Sequence, residues 1–371
     1  MLISFLGVGL TGWCQAGGNV VAWGYYYDTT IPETYRPMYV PAGLSNVVAV
    51  AGAYNYALAL KSDGKIVAWG YGGNGQTNVP PSVSNVVAVA AGAAELALRD
   101  DGRVISWTSP APTNLTDVVA VSVGFGIYAA LRRDGTVVTG GGGLPGPPVP
   151  PPGLTNVVAI ACGDVHVLAL TEDGTVTAWS NYAGYTNVPM GLDHVIAISA
   201  RGGRNLALKS DGTVMGWGFA SASAPPGLSN VVSIACGAAH SLALKEDGTV
   251  VAWGAGTNVA TDCCSIDRGQ SIVPAGLTNV FTVAGGRSFS LAITNSLGPQ
   301  AVAITNAVRN ANQFGVSVPT QSGHVYRLEY KNSLADTLWT ALPLVAGNGG
   351  MLALTDSYAT TAQRFYRVRY W

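Results

Sequence analysis

A short phrase returns seven times along this chain, and it constrains the fold more than any other feature. It reads NVVAV from Asn46 and again from Asn85, DVVAV from Asp117 and NVVAI from Asn156. It continues as HVIAI from His194, NVVSI from Asn230 and NVFTV from Asn279. The intervals are 39, 32, 39, 38, 36 and 49 residues, so a constant phrase at variable spacing places the insertions in loops.

Each unit keeps one internal order. The phrase leads through small residues to an alternating run such as Ser241-Leu242-Ala243-Leu244. An Asp-Gly pair follows, at Asp63-Gly64, Asp101-Gly102, Asp134-Gly135, Asp173-Gly174, Asp211-Gly212 and Asp247-Gly248. Asp-Gly between two apolar runs signals a tight hairpin, because both residues tolerate positive φ. TVVAWG or a variant comes next and carries Trp69, Trp107, Trp179, Trp217 and Trp253, while Thr139 takes the tryptophan place once and predicts a less well packed unit. These pieces are short and β-branched, without helical periodicity, so the chain is expected to be all-β.

Small antiparallel sheets repeated at about 40 residues predict a β-propeller. The unit from Asn279 lacks Asp-Gly and TVVAWG, and the missing strand stands at the other end of the chain as Asn19-Val20-Val21-Ala22-Trp23-Gly24. The reading is therefore a seven-bladed propeller over 17–297, closed by its N-terminal strand. Residues 298–371 follow as a small β-sandwich. Composition agrees: 48% of residues are hydrophobic and 11% charged, enough apolar material for a sizeable core.

Residues 1–16, MLISFLGVGLTGWCQA, form a short apolar segment ending at Ala16 and predict a signal peptide, hence a secreted or cell-surface protein. The segment is too short for a membrane span and lacks Lys or Arg near its start. Trp13 before Cys14 disfavours a lipid anchor, and an N-terminal strand packed on the fold is the alternative. A net charge of −1 with no basic run argues against nucleic acid as a partner.

The residues Gly237 to Leu244 (GAAHSLAL) and Asp247 to Gly254 (DGTVVAWG) resemble the regulator-of-chromosome-condensation repeat family. The tails Gly75-Gln76-Thr77-Asn78-Val79-Pro80 and Gly269-Gln270-Ser271-Ile272-Val273-Pro274 are similar to its bacterial branch typified by beta-lactamase inhibitory protein II. The resemblance covers roughly residues 19–293 and implies the propeller fold. It also implies a binding surface of aromatics in the loop after each first strand. Those positions hold Tyr54 and Phe125, but also Ala93, Asp164, Ala238 and Ser288, a thin aromatic set. The exchange-factor role of one branch is set aside, because a basic tail is lacking.

Beyond about Leu297, FGVSV, VYRLEY, a stretch around Trp339, GMLALTD and RFYRVRYW read as alternating strands. This region carries Arg309, Arg327, Lys331, Arg364, Arg367 and Arg369 against Glu329, Asp336 and Asp356, a net charge of +3. It resembles C-terminal modules of large secreted bacterial proteins, which implies surface attachment; a cap on the propeller fits equally well.

No nucleophile elbow, zinc-ligand spacing or credible carboxylate pair is found, so no enzyme, cofactor or metal is expected. His166 and His240 share a repeat column and read as packing residues, and Cys162 and Cys236 as small buried ones. The glycine run 140–143 lacks the Gly-Lys-Ser/Thr of a phosphate cradle. Two connections are unusually long, Tyr25 to Pro41 and Ala255 to Pro274. Both follow the W-G strand and, in a closed ring, both flank the last blade. They bring together Tyr25, Tyr26, Tyr27, Asp28, Glu33, Tyr35 and Arg36 with Asp262, Cys263, Cys264, Asp267 and Arg268. Tyr-rich loops with Arg and Asp suit protein or glycan recognition. Adjacent Cys263 and Cys264 have α-carbons ~3.8 Å apart, below the usual disulfide range, which leaves a strained bond, free thiols or pairing with another chain. The functional expectation is a monomeric, non-enzymatic binding module. An inhibitor of an extracellular enzyme is the alternative, ahead of a propeller-fold lyase or glycosidase.

Overall fold

The computed structural model describes residues 18–28, 34–109, 115–141, 146–182, 184–218, 223–257, 267–294, 304–310, 313–320, 324–333, 335–336, 339–347, 350–359 and 364–370. The predicted signal peptide, Asp262, Cys263 and Cys264 lie outside them, as does Glu33. All regular elements among the described residues are strands.

Each repeat forms a small antiparallel sheet whose strands follow sequence order. In the first unit Val47–Gly52 pairs with Tyr56–Lys61, which pairs with Ile66–Gly70. The second strands are buried over most of their length in a run such as Leu206-Ala207-Leu208, so each sheet contributes apolar surface to both neighbours. The phrase opens with Asn, Asp or His for a backbone reason. Asn46, Asn85, Asp117, Asn156, His194, Asn230 and Asn279 all adopt φ between 53° and 59°, the left-handed region that short polar side chains tolerate best. The phrase's third residue is then skipped in the ladder, as at Val48, Val87 and Val232, which makes it a bulge.

Consecutive sheets are joined at the Asp-Gly end by one recurring bond. The valine after the phrase's first residue donates its N–H to the glycine carbonyl of the preceding turn: Val86 to Gly64, Val118 to Gly102, Val157 to Gly135, Val195 to Gly174, Val231 to Gly212 and Val280 to Gly248, at 3.0–3.4 Å. Gly18 makes the corresponding bond with Val47, accepting at 3.1 Å and donating back at 2.8 Å. Asn19–Asp28 pairs with Phe289–Thr294 in the register Asn19↔Thr294 to Gly24↔Phe289, so the unit that begins at Asn279 receives its third strand from the N-terminus. At the other end of the sheets Arg287 N donates to Ala53 O at 3.0 Å, as Ala93 N does to Gly124 O and Ala238 N to Gly286 O.

The C-terminal region forms two further sheets. Val316, Val318 and Leu354 from one meet Tyr326, Leu328 and Val368 from the other in a single core. This module docks on the Asp-Gly end of the repeats. Arg327 and Arg369 both bind Glu246, at 2.8 and 3.3 Å, so part of the module's positive charge is met by the repeat domain. Val325 and Leu344 join the apolar cluster of Ile196, Val231 and Val232. The docking shows in the bulge column: Val232 is 0% exposed, whereas Val87, in a unit away from the module, is 47% exposed.

Candidate functional site

The end of the repeats opposite the docked module carries the loops that follow the first and third strands. Antiparallel order dictates this: a first strand running up and a second running down make the third run up again. Bonds such as Tyr71 N to Asn55 O and Tyr25 N to Ser288 O, at 2.8 and 2.9 Å, tie the two loop sets together. The long connections and the Tyr54–Phe125 positions therefore share one face.

The first long connection is not a loop throughout, contrary to the sequence expectation. The N-terminal strand runs past Gly24 through Tyr25, Tyr26, Tyr27 and Asp28, and this extension pairs with Thr34–Pro37. Tyrosines favour strands, and four cross-strand pairs suffice for a ribbon anchored on an existing sheet. Alternation puts Tyr27 and Tyr35 on one side, with rings 5.2 Å apart, and Tyr26, Asp28 and Arg36 on the other. Arg36 Nε lies 2.9 Å from an Asp28 carboxylate oxygen. Burial, then the Asp28 carboxylate, raises the Tyr26 phenol above its ordinary range.

The second connection reaches the first. The Arg268 guanidinium sits 3.8 Å from the centre of the Tyr35 ring, a cation–π contact between the two insertions. Arg268 is 2% exposed, so it is buried and not open to a partner. Its N–H donates to Gln270 Oε1 at 2.7 Å, and the neighbouring Asp267 carboxylate accepts from Gly256 N. Arg268 supports the ribbon at Tyr35, and Asp267 ties its own connection together at Gly256. Tyr25, Tyr26, Tyr27 and Tyr35 are half-buried, and Arg36 is exposed.

Nearer the centre of the same face, Tyr54 and Phe125 pack with ring centres 5.0 Å apart. Tyr54 Oη donates to Asp164 at 2.8 Å, and Arg201 and Arg287 lie 5.9 and 5.3 Å from the Tyr54 ring. Arg287, not Ser288, is the counterpart of Tyr54, because its N–H makes the inter-sheet bond that Ala93 and Ala238 make. Counting eight residues from the phrase's first residue would have found it.

The buried histidines and cysteines serve the junctions between sheets, and Glu95 serves its own sheet. His240 Nε2 is 2.9 Å from Ser290 Oγ, which donates to Gln270 O at 2.8 Å. The Asn205 amide bridges His166 Nε2 at 2.6 Å and Trp217 Nε1 at 3.2 Å. Burial, reinforced by Arg204 and Arg201, pushes His240 down to about 3, and burial also lowers His166, so both imidazoles are neutral. Cys162 and Cys236 are free and buried, each bonding a serine of the preceding unit, with thiols pushed up to about 12 by desolvation. Glu95 accepts from Trp107 N, Thr108 N and the Ser106 and Thr108 hydroxyls, replacing ladder bonds where the strand Val104–Ile105 is short. Thr139, in the tryptophan place, donates to Pro148 O at 2.7 Å, the carbonyl that also accepts from Trp179 at 3.2 Å. Among the described residues no group of His, Cys, Asp or Glu is placed to hold a metal ion, and no helix is long and apolar enough to cross a membrane.

Residues 157–181 and 231–258 match the Regulator of chromosome condensation (RCC1) repeat family. No curated protein matches the chain. Among solved structures, human WBSCR16 is 18% identical with a TM-score of 0.56, over 76% of this chain and 100% of that one. Prp20p from Saccharomyces cerevisiae is 18% identical at 0.55, over 76% and 92%. The CRINKLY WD40 ectodomain of the Arabidopsis thaliana receptor kinase ACR4 is 17% identical at 0.51, over 67% and 92%. At these identities the likeness is one of fold, and the fold is a β-propeller.

Proposed function

We propose that this chain is a non-catalytic binding module on a closed ring of seven blades, and that it captures a protein partner through the face opposite its C-terminal module. Closure is supported by the Gly18–Val47 bonds, which repeat the joint found at the other six junctions, and by Arg287 N on Ala53 O. Binding in place of catalysis is supported by the employment of His166 and His240 in joints between sheets and of Glu95 within its own sheet. Export from the cytosol follows from the reading of residues 1–16.

The tyrosine ribbon carries the proposal. Its strand continues four residues beyond Gly24, where the strands ending at Gly70 and Gly254 stop, about 13 Å of added length at strand rise. It presents aromatic rings and an exposed arginine on a rigid base, the residue types that dominate binding energy at interfaces. The test is affinity capture from the native extracellular fraction, with partners identified by mass spectrometry. Wild type should retain a partner that the Tyr27→Ala/Tyr35→Ala/Arg36→Ala variant loses. The second reading, an inhibitor of an extracellular enzyme, draws on the Tyr54–Phe125 pair on the same face. Loss of the partner from Tyr54→Ala/Phe125→Ala but not from the ribbon variant decides for that reading.

A further inference from the structure

A cleft of about 480 Å³ opens between the third and fourth repeat units, lined by Phe125, Gly126, Ile127, Gly146, Pro148, Asp164, Val165, Asn181 and Tyr182. It lies away from the tyrosine ribbon, and its lining mixes two aromatic rings with one carboxylate and one amide. Phe125 is 55% exposed and Tyr182 45%, both unusually open for large aromatics.

The cleft is held in shape from both sides. Ser180 Oγ donates to Val165 O at 2.7 Å and accepts from Tyr182 N at 3.0 Å, which fixes the turn that presents Tyr182. Asn181 Nδ2 donates to Gly146 O at 2.9 Å, tying that turn to the neighbouring unit and leaving the amide oxygen as an acceptor. Phe125 rests on Tyr54. Asp164 is oriented by Tyr54 Oη on one carboxylate oxygen and Gly202 N on the other, at 2.8 and 3.2 Å.

That carboxylate has a particular electrostatic setting. The buried Arg201 guanidinium interacts with the Asp164 charge, and Arg287 lies near the same tyrosine. A cationic ligand would meet these arginines, and an anionic one would meet the carboxylate. Each Asp164 oxygen accepts one bond and retains a further lone-pair direction, so the pair can accept from two adjacent hydroxyls. Aromatic faces add apolar contact for C–H groups, and the volume is at the scale of small-molecule pockets.

We propose that this cleft binds a neutral pyranose sugar, one face stacked on Phe125 or Tyr182 and vicinal hydroxyls donating to Asp164. The site shares no residue with the ribbon, so failure of either proposal leaves the other standing. The experiment uses the full chain and saturation-transfer NMR with glucose, galactose, mannose, N-acetylglucosamine and their β-linked and α-linked disaccharides. A neutral peptide containing Tyr and Pro serves as the competing ligand class. At least one sugar should show transfer concentrated on its ring C–H protons. Phe125→Ala/Tyr182→Ala and Asp164→Asn should each weaken it about tenfold or more, while Tyr27→Ala/Tyr35→Ala/Arg36→Ala should leave it unchanged. Thermal melting confirms that each variant is folded. No transfer to any of these sugars, transfer that survives Phe125→Ala/Tyr182→Ala, or occupation of the cleft by the peptide alone overturns the proposal.

Discussion

Trp23 Nε1 donates to the backbone carbonyl of Gln270 at 2.8 Å, joining residues 247 positions apart. Trp107 Nε1 makes the same bond to Gln76 O at 3.0 Å from the matching place in the second unit. The two glutamines head the similar tails GQTNVP and GQSIVP, and in both the side-chain oxygen accepts a nearby backbone N–H, from Asn74 and Arg268. The N-terminal strand is thus received by a socket that the repeat already provides.

Removing that strand should be costly. Trp23 is buried, and loss of a large buried aromatic costs about 3–5 kcal/mol. Deleting residues 19–24 also bares the edge of Phe289–Thr294, which invites association. Trp23→Ala should melt well below the parent, and the deletion should elute as aggregates in size-exclusion chromatography. A deletion variant that stays monomeric with the parental melting temperature would falsify closure by this strand.

The phrase's first residue should respond to substitution by backbone conformation, not by side-chain contact. At Asn156, φ is 55°. Asn156→Gly should change stability little, whereas Asn156→Val should cost about 1–2 kcal/mol. Urea unfolding of the two variants measures the difference, and equal costs would point to a role for the amide instead.

Acid should act through His240. The unfolded chain takes up a proton near 6.5 that the folded protein resists until about 3. The folded pKa is depressed, so this contribution is complete above 6.5 and declines as pH falls through that interval, by up to ~1.4 kcal/mol per pH unit. His240→Phe, with the residue that Phe289 supplies in the same column, should show a shallower decline by about one proton. Parallel curves for the two proteins would assign the acid sensitivity elsewhere.

The C-terminal module should release when its anchor is neutralised. Glu246 holds Arg327 and Arg369, and hydrogen bonds to charged groups are worth about 1.5–3 kcal/mol. Glu246→Ala should lower the melting temperature and expose Val232 enough to raise binding of a hydrophobic dye. An isolated 1–297 fragment should keep its β-sheet circular dichroism and bind the dye more strongly still. If the fragment is unfolded, the module is an integral part of the propeller.

Sequence reading reached the sheets because their determinants are local. Asp-Gly pairs mark hairpins, alternation marks strands, and the W-G strand missing after Asn279 stands at Asn19. The positive φ at Asn46 and its counterparts was written in the same column of Asn, Asp and His, but reads as part of a motif until the backbone is seen. The site was only partly legible. Tyr25 to Asp28 carry strand-forming tyrosines, yet their pairing with Thr34–Pro37 depends on how the chain turns between them. The burial of Arg268 depends on Tyr35, which arrives from the far end of the sequence. The Phe125–Tyr182 cleft joins neighbouring units, so no single repeat displays it.

The strand from Asn19 to Asp28 also sets a schedule for biosynthesis. It is made well before its partner, Phe289–Thr294, and finds it only when that segment has emerged. At ribosomal rates of ~5–20 residues per second, the wait is on the order of tens of seconds. Throughout it the nascent chain carries Val20, Val21, Ala22 and Trp23 as an unpaired apolar strand, while complete sheets can assemble behind it. The sheet that holds both strands can be completed only after almost all of the repeat domain has been translated.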